Sequence, residues 1–272
     1  MQGKHVLITG GNSGIGLVTA TALAQQGASV VLACRDSDKT TAALAQINAV
    51  GTTTAINLPV DLANLQSVRD LATSYQAQFS RLDVLINNAG TFPAKQQLTD
   101  DGFEMQFGVN HLAHFLLTHE LLGLLKASAP ARVITVSSKL HSKGSLDFES
   151  FRGCEKYSPT VAYNQSKLAN VLFANELAQR LEGSGVTSNS LHPGAVATDI
   201  VRDMPWLIRK LLGVLFIAPE KGAKTSIMLA IEPALAQASG QYFDQCELTP
   251  CSALANDEAL RKRLWQVSAE AV

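Results

Sequence analysis

Thr9-Gly10-Gly11-Asn12-Ser13-Gly14-Ile15-Gly16 decides how the rest of the chain is read. The apolar run Val6 to Ile8 leads into it. Leu17, Ala20, Leu23 and Ala24 follow at helical spacing until Gly27, a residue suited to the turn just past a helix end. A glycine turn between a strand and a helix has a specific use. Without side chains the backbone can turn tightly and approach a pyrophosphate, and the unpaired N–H groups and dipole of the helix N-terminus favour its negative charge. The stretch therefore reads as the phosphate turn of a dinucleotide-binding βαβ unit, with Gly10, Asn12, Ser13, Gly14, Ile15 and Gly16 as its contacts. A glycine-rich turn without a ligand is the alternative.

Beyond the turn, short β-branched runs alternate with longer helical patterns, the signature of repeated βαβ units. Strands are expected near residues 4–9, 29–34, 53–60, 82–86, 131–137 and 186–192, with a last one near 240–244 and helices between them. This predicts an α/β fold: a single Rossmann-type domain over 1–272, built on a doubly wound parallel sheet with helices on both faces. Its cofactor-binding core takes in about 1–200, and a substrate-lid region about 199–235. Apolar residues at 46% and a formal net charge of -1 fit a globular enzyme and give no electrostatic reason to expect nucleic acid. Cys34, Cys154, Cys246 and Cys251 show no C-x-x-C pair or zinc spacing and read as reduced thiols of a cytoplasmic protein. His111, His114 and His119 share a helical stretch, but no carboxylate or cysteine completes a ligand set, so no metal is expected. His192 reads as a strand-end residue.

Two further places bear on cofactor and chemistry. NAD enzymes place a carboxylate at the end of the second strand to bind the ribose 2′-hydroxyl, but here Val30 to Ala33 is followed by Cys34 and Arg35. A planar guanidinium with several donors matches a 2′-phosphate, so NADP(H) is the expected cofactor, with Asp36 as the competing NAD reading. Tyr163 and Lys167 stand four apart on a helical pattern that runs on through Leu168, Val171, Leu172 and Leu177, so both can face one way. A free phenol titrates near ~10, and a neighbouring ammonium lowers that value by favouring phenolate. The strand before this helix ends in Val136-Ser137-Ser138, where sites in open α/β sheets form. Ser137 competes with Ser138, because one residue along a strand exchanges its faces. Asn110, in Phe107-Gly108-Val109-Asn110-His111-Leu112, is a polar residue within the long helix before the fifth strand and needs a buried partner.

The Gly-x-x-x-Gly-x-Gly spacing, Asp61-Leu62, Asn87-Asn88-Ala89-Gly90, Asn110, Ser138, Tyr163 with Lys167, and Pro193-Gly194 together resemble the short-chain dehydrogenase/reductase family, in its order. The resemblance spans roughly the first 200 residues. It implies hydride transfer between a nicotinamide and a carbonyl or alcohol. Ser138 would hold the substrate oxygen, Tyr163 exchange its proton, and Lys167 bond the nicotinamide ribose, with Asn110 holding a water that relays protons to Lys167. By the same resemblance Asp61 and Leu62 flank the adenine, and the Asn88-Ala89-Gly90 turn passes the ribose. Pro193, Gly194 and the segment from Val196 to Thr198 position the carboxamide. A homodimer is also implied, with the helix of Tyr163 as a candidate interface. An NADPH-binding regulator with little turnover is the other reading.

The stretch 139–162 is longer than is usual in that family. With Ala33-Cys34-Arg35-Asp36, Asn110-His111-Leu112 and His192-Pro193-Gly194 it resembles the retinol dehydrogenase and WW-domain oxidoreductase branch, which implies a small lipophilic carbonyl or alcohol as substrate. Residues 205–217 are more apolar than a surface loop should be, yet too short to span a bilayer. A lid over an apolar pocket, a peripheral membrane contact aided by Arg209 and Lys210, and a packed helix all remain open. Membrane-anchored members of the branch begin with an apolar leader; Met1-Gln2-Gly3-Lys4-His5 is not one, and a soluble encounter with substrate is expected.

Overall fold

Apolar residues on both sides of a strand require cover on both faces, and the first strands are built that way. In β1 (His5–Thr9), Leu7 joins one hydrophobic core while Val6 and Ile8 join the other. β2 (Ser29–Cys34) repeats the pattern, with Val31 and Ala33 facing one way and Val30, Leu32 and Cys34 the other. The structure, a computed structural model, describes residues 1–194 and 218–272. Its remaining strands are β3 (Ile56–Pro59), β4 (Val84–Asn87), β5 (Ala131–Val136), β6 (Val186–His192), β7 (Tyr242–Asp244) and β8 (Glu247–Leu248). They form one sheet in the order β3-β2-β1-β4-β5-β6-β7-β8, parallel except for β8, which pairs antiparallel with β7. The order reverses between β1 and β4, and that crevice is where doubly wound sheets bind ligands.

One face is covered by α1 (Gly14–Gln25), α2 (Asp38–Asn48) and, further along the chain, a helix at Pro219–Ile231. The other carries α3 (Leu65–Gln78), then a broken helix made of α4 (Met105–Phe107), a π turn (Gly108–Leu112) and α5 (Ala113–Glu120), followed by α6 (Leu122–Ala127) and α7 (Pro159–Arg180). We number the Pro219–Ile231 helix α8 and the final one, Glu258–Ala271, α9.

β2 and β6 fall on the expected bounds, and the other expected strands are present with ends shifted by one to three residues. Three features refine the expectations. The helix carrying Asn110 is not continuous, because a π turn interrupts it. The stretch 139–162 makes two 3-10 turns, Lys139–Lys143 and Phe148–Arg152, and stacks Phe151 on Phe107 at 3.7 Å between ring centroids. Of the expected lid region 199–235, the part that α8 occupies is a packed helix: Ala223 and Ile227 meet Ile15 and Val18 of α1, and Leu229 and Ala230 enter the sheet core. Its apolar stripe is used on the body. The rest of 199–235 up to residue 217, including 205–217, lies outside the described residues.

α7 is buried at every residue from Asn164 to Leu177. β5 and β6 lie along one side, and α9 lies against another. Trp265 of α9 meets Phe115 at 4.9 Å and Phe173 at 6.0 Å, and Arg180 stacks on its ring at 4.3 Å. Burying an aromatic side chain this way contributes on the order of 2 kcal/mol. Over this stretch α7 is covered by the chain's own sheet and by α9. Cys34, Cys154, Cys246 and Cys251 are free thiols.

Candidate active site

The glycine turn sits where β1 ends. Gly10 and Gly14 have φ of 64° and 50°, the left-handed region that glycine enters without strain. At Gly16 the constraint is space: a Cβ there would lie 2.3 Å from the Gly10 carbonyl oxygen and 2.6 Å from Asn88 Nδ2. The turn is thus a cradle of bare backbone at a helix N-terminus, and it fits the pyrophosphate of a dinucleotide. Ser13 is the N-cap of α1 without a side-chain cap bond, and Asn12 donates to Thr40 Oγ1 at 2.9 Å. Ile15 points into the contact with α8, so only its backbone faces the cradle.

Around the cradle, Arg35 is exposed at the end of β2. The Asp36 carboxylate accepts from Asn57 Nδ2 at 2.9 Å, which engages the competing group. Asp61 is exposed and its carboxylate accepts from the Ala63 N–H, while Leu62 is buried. Asn88 clamps the loop: its amide donates to the Thr9 carbonyl at 2.8 Å and the Gly10 carbonyl at 3.3 Å. Ala89 is partly buried and Gly90 exposed beside it. Pro193 and Gly194 continue from β6, whereas Val196 and Thr198 lie outside the described residues.

The catalytic candidates converge at the ends of β5 and α7. The Ser138 hydroxyl accepts the Leu140 N–H at 3.2 Å and lies close enough to the Tyr163 phenol to oppose the rise in its pKa. Ser137 is turned the other way, its hydroxyl donating to the Lys167 carbonyl at 2.7 Å, so the two serines have distinct surroundings. Lys167 is 2% exposed; its Nζ donates to the Val136 carbonyl at 3.1 Å and stands 5.6 Å from the Tyr163 ring centroid. Asn110 is fully buried in the π turn. Its amide oxygen accepts the Thr91 N–H at 2.7 Å, and Nδ2 donates to the Thr91 carbonyl and to Ser166 Oγ, which in turn donates to the Tyr163 carbonyl.

Burial governs the electrostatics. It pushes the Tyr163 phenol up to about 12, opposed by the neighbouring Ser138 hydroxyl, and draws Lys167 down to about 8. The expectation that the ammonium pulls the phenol down is not met in this arrangement. Lys167 spends a donor on the Val136 carbonyl rather than the phenol oxygen, and loss of water outweighs it.

Three features escaped sequence reasoning. Phe92 packs edge-on against Tyr163 at 5.1 Å, although nothing in its sequence neighbourhood singles it out. His111 and His114, considered only as metal ligands, are each 1% exposed and bonded to Ser268 and Thr9. α9 was legible in principle: Asp257 caps it, and Leu260, Leu264 and Ser268 recur every four residues.

Comparison with known proteins agrees with this architecture. The family model for the short chain dehydrogenases matches residues 4–205. The chain is 44% identical to retinol dehydrogenase 14 of Homo sapiens over 288 residues, covering 98% of this chain and 86% of that protein. It is likewise 44% identical to retinol dehydrogenase 13 of Homo sapiens, covering 100% of this chain and 85% of that protein. Among solved structures, an uncharacterized protein from Mycobacterium Paratuberculosis superposes with a TM-score of 0.82 at 35% identity, over 99% of this chain and 93% of that one. The Pseudomonas aeruginosa RhlG/NADP active-site complex superposes with a TM-score of 0.73 at 28% identity, over 90% and 95%.

Proposed function

The chain belongs to the short chain dehydrogenase family, in its retinol dehydrogenase branch, and is an oxidoreductase acting on alcohol or carbonyl groups; from that premise we propose that it reduces a lipophilic, retinal-like aldehyde or ketone with NADPH. The observation that carries the reading is the convergence of Ser138, Tyr163 and Lys167, with Lys167 Nζ 5.6 Å from the Tyr163 ring centroid, at the strand ends that also form the glycine cradle. Bound NADPH supplies the hydride. The Ser138 hydroxyl orients and polarises the substrate oxygen. Tyr163, held protonated well above neutral pH, donates its proton to that oxygen as negative charge develops there. Lys167, still an ammonium at pH 7, would bond the nicotinamide ribose beside the phenol. Asn110 holds Thr91 and Ser166 in place around the reacting groups. Alcohol oxidation reverses these steps.

The choice of NADPH rests on exposed Arg35 and on the engagement of Asp36 by Asn57. Gly10, Asn12, Ser13, Gly14, Ile15 and Gly16 would hold the pyrophosphate, Asp61 and Leu62 the adenine, Asn88, Ala89 and Gly90 the ribose, and Pro193, Gly194, Val196 and Thr198 the carboxamide. An apolar substrate is supported by Phe92 against Tyr163 and by two exposed apolar side chains two positions from the reacting groups, Leu140 at 37% and Val161 at 62% exposure. A cytoplasmic location fits a chain with no helix, among the described residues, long and apolar enough to cross a membrane. Residues 205–217 suit a lid or a membrane-surface contact by sequence. A homodimer, if formed, uses a face other than the one α9 covers.

Purified protein is expected to oxidise NADPH with some member of a panel of retinoids, aliphatic aldehydes, quinones and steroids. Tyr163→Phe should reduce that turnover by about 100- to 10,000-fold; full activity in the variant would overturn the mechanism. NADPH binding without turnover on any carbonyl would indicate the regulatory reading instead.

A further inference from the structure

Thr9 and Asn110 anchor the two ends of one turn. The Thr9 hydroxyl oxygen accepts the N–H groups of Asn88 and Ala89 at 2.9 and 3.0 Å, and the Asn110 side chain grips the N–H and carbonyl of Thr91 at 2.7 and 3.1 Å. The turn between them, Asn88 to Thr91, lies beside the glycine cradle at one end and is joined through Asn110 and Ser166 to the Tyr163 backbone at the other. One side chain connects the anchors. His114 Nε2 lies 2.8 Å from Thr9 Oγ1, and its Nδ1 lies 3.0 Å from the Asn110 carbonyl oxygen.

The bonding assigns the protons. With two amides pointing at it, Thr9 Oγ has one hydrogen to give. His114 Nε2 at 2.8 Å is better placed to take it than the Ile86 carbonyl at 3.5 Å. Nε2 is therefore the acceptor, and Nδ1–H donates to Asn110. Burial, with Lys167 nearby, draws the ring down to about 4 and keeps it neutral, so both bonds persist at neutral pH.

We propose that His114 is a positioning residue that fixes the cofactor-side turn relative to the proton-transfer side chains, by bridging Thr9 and the Asn110 carbonyl. The inference rests on the reading of the site as an NADPH-dependent reductase. Two substitutions divide its function, since an asparagine amide reaches roughly as far as Nδ1 and a glutamine amide as far as Nε2. His114→Asn keeps a donor for Asn110 and releases Thr9; NADPH affinity, read by fluorescence titration, should weaken by about 10-fold. His114→Gln keeps a partner for Thr9 and releases Asn110; kcat at saturating NADPH should fall by about 10-fold or more. A merely structural histidine would instead move affinity and kcat together, in step with Tm, in both variants, and that result overturns the proposal.

Wild-type protein carrying ¹⁵N-histidine gives a second measurement that needs no variant to fold. His114 should show a protonated Nδ1 and a bare Nε2, with the Nε2 resonance shifting when NADPH binds. A protonated Nε2, or no response to NADPH, overturns the bridge. The reductase reading fails separately, when wild-type protein turns over none of the carbonyls, because the affinity titration and the NMR signal require no turnover.

Discussion

The two sides of the site are built by opposite means. The cradle from Gly10 to Gly16 works because side chains are missing: positive φ at Gly10 and Gly14 and the closed space at Gly16 admit only glycine. The side formed by the π turn and α7 works because polar side chains are present and buried: Asn110, His111, His114, Ser166 and Lys167 are at most 2% exposed. A bare backbone can be ruined only by adding atoms. A buried polar network is ruined by removing one partner, since each group left behind pays its full desolvation cost. The first side is therefore local in sequence and steric in its tolerance, and the second is dispersed and electrostatic.

The largest expected effect is on the bare side. Gly16→Ala should weaken NADPH binding by about 1,000-fold or more, because its Cβ overlaps the Gly10 carbonyl and the Asn88 amide that clamps the loop. Wild-type affinity by fluorescence titration would show that the cradle is not steric. Next, on the filled side, Trp265→Ala should lower the unfolding free energy by about 2–3 kcal/mol in urea, as α7 and α5 lose their outer cover.

Acid distinguishes the two sides through charge. Burial draws His111 to about 3 and His114 to about 4 in the folded chain, whereas unfolded histidines bind protons below about 6.5. The unfolded state then holds the extra protons, so stability falls as pH drops from about 6.5 towards 4, by about 1.4 kcal/mol per pH unit for each histidine. Urea titrations at pH 7, 6 and 5 should show that slope, and His111→Asn should reduce it; a stability flat over that range would mean these rings are hydrated. The smallest effect belongs to the cradle's rim. Arg35→Ala should lower the preference for NADPH over NADH by about 10-fold in Kd, and an unchanged ratio would remove the guanidinium from cofactor choice.

The same contrast explains what could be read in the sequence. The cradle was legible because its causes are neighbours: a strand, three glycines and a helix in a row. Tyr163 and Lys167 were legible through their four-residue spacing, and Ser138 through a strand end. The π turn was not, because Val109, Leu112 and Leu116 keep ordinary three- and four-residue spacing through it. Nor were the partners of His111 and His114, which lie 157 and 105 positions away in the chain. Periodicity reports which face a residue takes, and cannot report which remote group it meets there. The two-residue strand β8 is too short to carry any alternation at all.

The cover that α9 lays over α7 also sets an order of events. Ribosomes add about 5–20 residues per second, and α9 follows the end of α7 by about 80 residues. For about 4–16 s α7 can exist without its cover of Trp265, Leu264 and Leu260, showing Phe173 and Phe115 to solvent or to a chaperone. The half built on the glycine turn can finish early, while the half built on α7 must wait until α9 has been made.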